Sequence, residues 1–335
     1  ETSYSAFGES VTDFEKFLNE FPHSQYADKV SNYLVEVYMN TRSYDAALKS
    51  IERITHPSKA ILEAKQKILF QLGTQAFANT QFEQAIKSFS QSIALGQYNL
   101  QTKANALYWR GESYYRLSRM QEAARNFNDY LVITPQKNTE MFALAYYNLA
   151  YIAFHKKEYT TAQDRFLKFV QLEKSENSTL LADAYNRIGD CYLHVRHFDE
   201  AKQYYTRAEK LGTPTGDYSY YQLALVAGLQ KDYDEKVNLL NHLASKYPNS
   251  PYAVNALYEK GRSYVQGNNN SLAIATFREL LSKYPESPVS RKAATEIGLL
   301  YYQNDDYDRA IEAYKYVITQ YPGSEEARLA MRDLK

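Results

Sequence analysis

The sequence predicts an all-α solenoid of stacked antiparallel helix pairs, and three observations predict it. First, an aromatic residue or its substitute recurs along the whole chain: Tyr44, Phe82, Met120, Tyr159, Phe198, Tyr233, Asn270 and Tyr307, in steps of 35 to 39 residues. A period in this range, sustained from end to end, is the mark of a solenoid. Second, small residues recur in the same register, with Ala three residues after seven of these eight rungs. Third, 335 residues are too many for one ordinary compact core, whereas a repeat array packs each unit only on its neighbours.

One unit shows why the elements are helices. Leu107, Gly111 and Tyr114 fall three to four apart, which is one helical face. A turn follows over Leu117–Met120. Ala123, Phe127 and Tyr130 make a second stripe, and Pro135 ends the unit because it cannot supply a helix-interior N–H. Each unit is therefore an A helix followed by a B helix. In order, residues 1–22 read as a lone B helix, with Phe7, Ser10, Phe14, Phe17 and Pro22. Eight repeats follow over 23–59, 60–98, 99–136, 137–175, 176–213, 214–248, 249–285 and 286–322. Residues 323–335, with Met331 and Leu334, read as a lone A helix. The whole is expected to be one continuous array.

Glycine inside a helix costs about 1 kcal/mol relative to alanine, so its recurrence needs a steric reason. Gly73, Gly111, Gly189, Gly261 and Gly298 share one place on helix A; Ala150, Ala224 and Val35 hold it elsewhere. Ala47, Ala85, Ala123, Ala162, Ala201, Ala273 and Ala310 share one place on helix B. The expectation is small against small, letting the two backbones approach. The ring that follows (Phe89, Phe127, Phe166, Tyr205, Phe277, Tyr314) would then fill space towards the next repeat. Lys236 stands where the sixth repeat should have Ala. A charged, dry Lys is untenable in such a contact, so it should snorkel or push the helices apart.

The pattern Leu107-x3-Gly111-x2-Tyr114, Ala123-x3-Phe127, Pro135 resembles the tetratricopeptide repeat. The likeness runs through essentially the whole chain and recurs eight times in register. It implies a right-handed superhelix with A helices lining the concave face, and a non-catalytic scaffold that binds a protein partner, a peptide or a helix, in that groove. The junctions Phe21-Pro22-His23-Ser24, Tyr247-Pro248-Asn249-Ser250, Tyr284-Pro285-Glu286-Ser287 and Tyr321-Pro322-Gly323-Ser324 resemble those of tetratricopeptide proteins of the Gram-negative envelope. Such proteins include the lipoprotein of the outer-membrane assembly machine and the TolA-binding coordinator. There Pro would stop helix B and Ser would cap the next helix A. The likeness implies a periplasmic or outer-membrane-associated location, with the cytoplasm as the alternative.

Composition narrows the partner. Lys+Arg and Asp+Glu are both 39, with no dense basic run, which argues against nucleic acid. The apolar runs, such as Leu223–Leu229, are too short to span a bilayer. The 33 Tyr against 15 Phe suit surfaces that are both packed and wet. The chain starts at Glu1 inside a repeat, and apolar half-units at both ends are expected to belong to a longer array.

On helix A, residues one turn from the Gly/Tyr stripe should face the groove: Tyr108, Glu112, Tyr115, Tyr147, Tyr151, Phe154, Asn186, Asp190, Tyr221, Tyr258 and Arg262, with Phe70, Phe77 and Tyr302 beside them. Aromatic anchors with polar neighbours suit a peptide or helix. The groove positions lack the Lys–Asn pair of the family's carboxylate clamp. A glycan- or nutrient-uptake module, stacking sugar on Tyr151 beside Asn186 and Asp190, is the alternative reading. A regulatory domain of a longer enzyme is another.

Cys191-x2-His194-x2-His197 places three metal-ligand types together. A buried Cys with two histidines at a helix end explains the same residues, so no metal and no cofactor is expected. No Gly-rich phosphate loop, His-Glu-x2-His or Ser elbow is present, and no enzyme is expected. Asn177-Ser178-Thr179 fits a glycosylation sequon. Gly212-Thr213-Pro214-Thr215-Gly216, after the shortest step, is a candidate hinge.

Overall fold

A computed structural model describes residues 7–174 and 177–335. Among these residues the chain forms eighteen α-helices and no strand. Its contacts part it into two compact units, Glu1–Lys174 and Ser175–Lys335. In the first unit, α1 (Glu9–Glu20) precedes the pairs α2 (Ala27–Met39) with α3 (Tyr44–Glu52), α4 (Lys59–Ala78) with α5 (Phe82–Ala94), α6 (Leu100–Arg116) with α7 (Met120–Ile133), and α8 (Glu140–His155) with α9 (Tyr159–Leu172). The second unit pairs α10 (Ser178–His194) with α11 (Phe198–Lys210), α12 (Gly216–Leu229) with α13 (Tyr233–Lys246), α14 (Ala253–Gln266) with α15 (Asn270–Lys283), and α16 (Pro288–Gln303) with α17 (Tyr307–Gln320). It ends in α18 (Glu325–Asp333).

Every rung of the sequence ladder is the first residue of a B helix. The turn before it has one geometry seven times over. Thr80, Ser118, Lys157, Arg196, Lys231, Asn268 and Asp305, each two residues before its rung, have φ between 59° and 63°. In the first of these turns, Thr80 N–H donates to Phe77 O at 2.9 Å and Gln81 N–H to Ala76 O at 2.8 Å. This paired closure satisfies the last carbonyls of helix A and reverses the chain within three residues. Glycine is the usual choice there; L-residues pay about 1–2 kcal/mol for the left-handed backbone.

The glycine on helix A has a different partner from the one expected. A Cβ on Gly73 would sit 2.5 Å from Phe89 of α5, on Gly189 2.7 Å from Tyr205, on Gly298 2.9 Å from Tyr314, and on Gly111 3.0 Å from Phe127. Gly261 stands the same way against Phe277. The notch on helix A thus receives the ring of its own helix B. The rings also border the following repeat, as expected: Tyr205 packs with Leu223 and Val226 of α12, and Phe89 with Ala106 of α6. They are at most 4% exposed, and burying each contributes about 2–3 kcal/mol. The Ala stripe on helix B is equally buried.

Lys236 corrects a second expectation. It neither reaches solvent nor lacks a partner: it is 5% exposed, and its Nζ lies 2.7 Å from Glu259 Oε2 on α14. Its stem crosses Gly228 of α12, where a Cβ would come within 2.9 Å of Lys236 Cδ.

The aromatic residue of each aromatic-Pro-x-Ser junction (Phe21, Tyr247, Tyr284, Tyr321) is the C-cap of its B helix. Two of the four serines cap as expected: Ser287 accepts from Val289 N–H and Ser324 from Ala327 N–H. Ser24 and Ser250 sit further upstream and accept from Tyr26 and Tyr252 N–H, so they close the turn before the helix.

At the candidate hinge, Gly212 has φ 68° and Thr213 is buried. Gly216 lies so close to the Tyr247 hydroxyl that no side chain fits. Glu209 on α11 bonds Lys246 on α13 at 2.8 Å, spanning the segment.

Within the first unit, A helices also touch each other, α2 on α4 and α4 on α6. In the second unit, α14 packs on α16 and α16 on α18. The side on which successive helices meet is the inner side of a curved stack.

Candidate partner-binding face

The two units carry separate sets of the expected groove residues. In the first, Tyr108 is buried: its ring packs edge-on against Trp109, Phe127 and Tyr130 at 5.3–5.5 Å. Its hydroxyl donates to Glu112 Oε1 at 3.1 Å. Asn148 Nδ2 of α8 donates to the same oxygen at 2.5 Å, which ties the two A helices together. Burial and the adjacent carboxylate push the Tyr108 phenol well above its usual range. Tyr108 therefore orients Glu112 from below rather than offering a surface.

Tyr115, Tyr147, Tyr151 and Phe154 are half-buried. Tyr147 lies 5.1 Å from Tyr151 and 5.0 Å from Phe169 of α9, and Tyr151 packs edge-on against Phe166 at 5.1 Å. Phe154 meets the rung residue Tyr159 at 5.6 Å, and His155 meets Tyr151 at 5.8 Å. The Tyr147, Tyr151 and Phe154 rings are each anchored on one side by helix B, and part of each stays accessible.

In the second unit two expected contact residues are buried. Asn186 is 1% exposed and accepts from Ser219 Oγ at 2.8 Å. Asp190 is 5% exposed. It accepts from Tyr205 at 2.5 Å, Tyr218 at 2.9 Å and Gln222 at 3.2 Å, and pairs with Arg187 at 2.8 Å. Burial lifts the Tyr205 and Tyr218 phenols, and the Asp190 charge lifts them further. A buried carboxylate with this many donors is a cross-brace between α10, α11 and α12.

The rest of the set lies nearer the surface. Tyr221 stacks on Tyr252 at 5.4 Å. Tyr258 packs on Phe277 at 5.8 Å and donates to Glu296 Oε1 at 2.5 Å. Burial raises the Glu296 carboxyl above its usual range, although the Tyr258 hydroxyl pulls the other way. Arg262 is exposed and makes one long contact, 3.4 Å to Glu259. Tyr302, 55% exposed, and Leu299, 44% exposed, add open apolar surface on α16.

Sequence reasoning missed Asn148 and Glu296 as partners. Each lies one period, 36 or 38 residues, after the group it holds. That offset was the available signal.

Cys191 is buried and its thiol is pushed up to about 12, chiefly by burial. His194 and His197 are exposed, and no group of three potential metal ligands occurs among the described residues. Asn177 caps α10, accepting from Leu180 N–H at 3.2 Å. No helix among the described residues is long and apolar enough to cross a membrane.

Three family models, each described as tetratricopeptide repeat, match residues 70–138 and 258–325, 141–212, and 218–250. Together they cover well over half of the sequence. The chain belongs to the tetratricopeptide repeat family. No curated protein matches it. Among solved structures, the C-terminal part of a TPR repeat-containing protein from Cytophaga hutchinsonii is similar with a TM-score of 0.63 at 18% identity, over 79% of this chain and 99% of that one. The apo form of RapI aligns with a TM-score of 0.49 at 18% identity, covering 80% of this chain and 99% of that one. YrrB, described as a TPR protein with an unusual peptide-binding site, aligns with a TM-score of 0.45 at 20% identity, covering 62% and 99%. The first of these likenesses shows the fold. Tetratricopeptide arrays are in general non-catalytic scaffolds for protein–protein interaction.

Proposed function

We propose that this tetratricopeptide array is a scaffold whose A-helix face grips an extended peptide or a helix of a partner protein. One observation carries the reading: Tyr147, Tyr151 and Phe154 are anchored on one side by helix-B rings and remain partly open on the other. Rings fixed in this way lose little rotamer freedom on binding, so their burial against a partner is retained as affinity. Glu112 beside them, and Arg262 in the second unit, add polar selection. The glycan reading loses its polar flank, because Asn186 and Asp190 are buried and hydrogen-bonded inside the fold. The aromatic-Pro-x-Ser junctions support placing the chain in a bacterial envelope, as part of a larger protein; fractionation of tagged cells tests that separately.

Site-specific photo-crosslinking tests the face. A benzophenone side chain at position 151 or 258 should trap a protein partner in cells, whereas one at Val132, 79% exposed on α7, should not. Cross-links confined to position 132, or saturable sugar binding with no protein partner, would overturn the reading.

A further inference from the structure

The outer groove between α5 and α7 is closed by a guanidinium. Arg110 of α6, the residue before Gly111, donates to Asn126 Oδ1 at 2.7 Å and Ser90 Oγ at 3.1 Å, and so fills the slot between the two B helices. The equivalent positions between α15 and α17 are Ile297, Ala313 and Arg278. Ile297 is too short to fill the slot, Ala313 offers no acceptor, and the cation has moved from the floor to the rim.

The result is an open cleft of about 330 Å3. Its floor and walls are Leu281, Ala294, Ile297 and Ala313, and its rim is Arg278, Arg309, Glu312 and Tyr316. Arg309 lies 3.4 Å from Asp306. Arg278 has no carboxylate partner among the described residues; it donates to the Tyr301 hydroxyl at 3.0 Å. Both guanidinium groups lie 5.9 Å from the Tyr301 ring centroid, on its rim side of the groove. Tyr316, 41% exposed, extends the apolar surface at the rim.

We propose that this cleft is a second docking site, on the B-helix face. Its occupant is a short peptide segment in which a bulky apolar residue enters the floor and a neighbouring Asp or Glu pairs with Arg278. The volume suits one large side chain, the floor suits its apolar character, and the single rim cation without a carboxylate sets the preference for an acidic neighbour. Glu312 on the opposite rim disfavours a second carboxylate on that side.

A random peptide display library selected on the whole chain, with counter-selection on Ala313→Phe, tests it. Ala313→Phe fills the mouth of the cleft, and Arg278→Gln removes the cation from an exposed position where folding is not at risk. Enriched peptides should carry an apolar residue next to Asp or Glu. They should bind Arg278→Gln about tenfold more weakly, the loss expected for one hydrogen-bonded charge, and lose measurable binding to Ala313→Phe with the helical circular dichroism intact. Peptides without an acidic preference, binding that Ala313→Phe leaves unchanged, or a selection that yields no Ala313→Phe-sensitive binder would overturn the site.

Discussion

Repeats six and seven are neighbours in one unit and solve the same packing problem differently. In repeat seven, Gly261 on α14 receives the ring of Phe277, and Ala273 completes a dry contact. In repeat six, Ala224 faces a helix that offers Leu240 in place of the ring, and Lys236 replaces the alanine. The charge is kept by a carboxylate from the following repeat, Glu259. A ring in a notch holds a repeat together internally. The ion pair makes repeat six depend on repeat seven.

The sharpest way to break this contrast is to empty the notch. Phe277→Ala should cost about 4 kcal/mol, the sum of lost transfer energy and a cavity, with hydrogen-exchange protection falling first in α14 and α15. Next, Glu259→Gln leaves Lys236 buried and charged without its partner, and should cost about 3 kcal/mol. The double variant Lys236→Met with Glu259→Gln should recover most of that, and a thermodynamic cycle in urea measures the coupling. If the double variant is as unstable as the single, the pair is not the connection between the repeats.

Gly261→Ala should give a smaller loss, about 1 kcal/mol net. Overlap with a fully buried ring exceeds the gain in helix propensity. Repeat four, which has Ala150 and Phe166 at these positions, both fully buried, shows that the fold can be built with the extra methyl. A neutral result would mean that α14 and α15 separate as readily as α8 and α9. The smallest effect concerns the turns. Lys231→Gly in repeat six should stabilise by about 1 kcal/mol, because lysine at φ 63° is strained. Asn268→Gly in repeat seven should give only a few tenths, since asparagine tolerates that backbone. Paired thermal melts compare the two directly.

Much of the fold was legible because a helix announces its buried face by period, and a solenoid repeats that announcement. The rungs and the order of A and B helices follow from spacing. The site was less legible. Spacing places Tyr108, Asn186 and Asp190 on the same face as Tyr151 and Arg262, but it does not reveal depth. Tyr108 sinks because Phe127 and Tyr130 leave room for it, and Asp190 because four donors surround it.

The sequence by itself determined which positions are helical, which stripe of each helix packs inward and where each chain reversal falls, because these depend on residue type at a fixed local period. Tertiary structure alone decided which buried group meets which. Gly261 takes a ring from its own repeat, Lys236 takes a carboxylate from the next, and the slot that Arg110 fills in one groove stands open over Ile297 in another. Those pairings depend on distances between helices, and side-chain volume and charge set these only after the helices have packed.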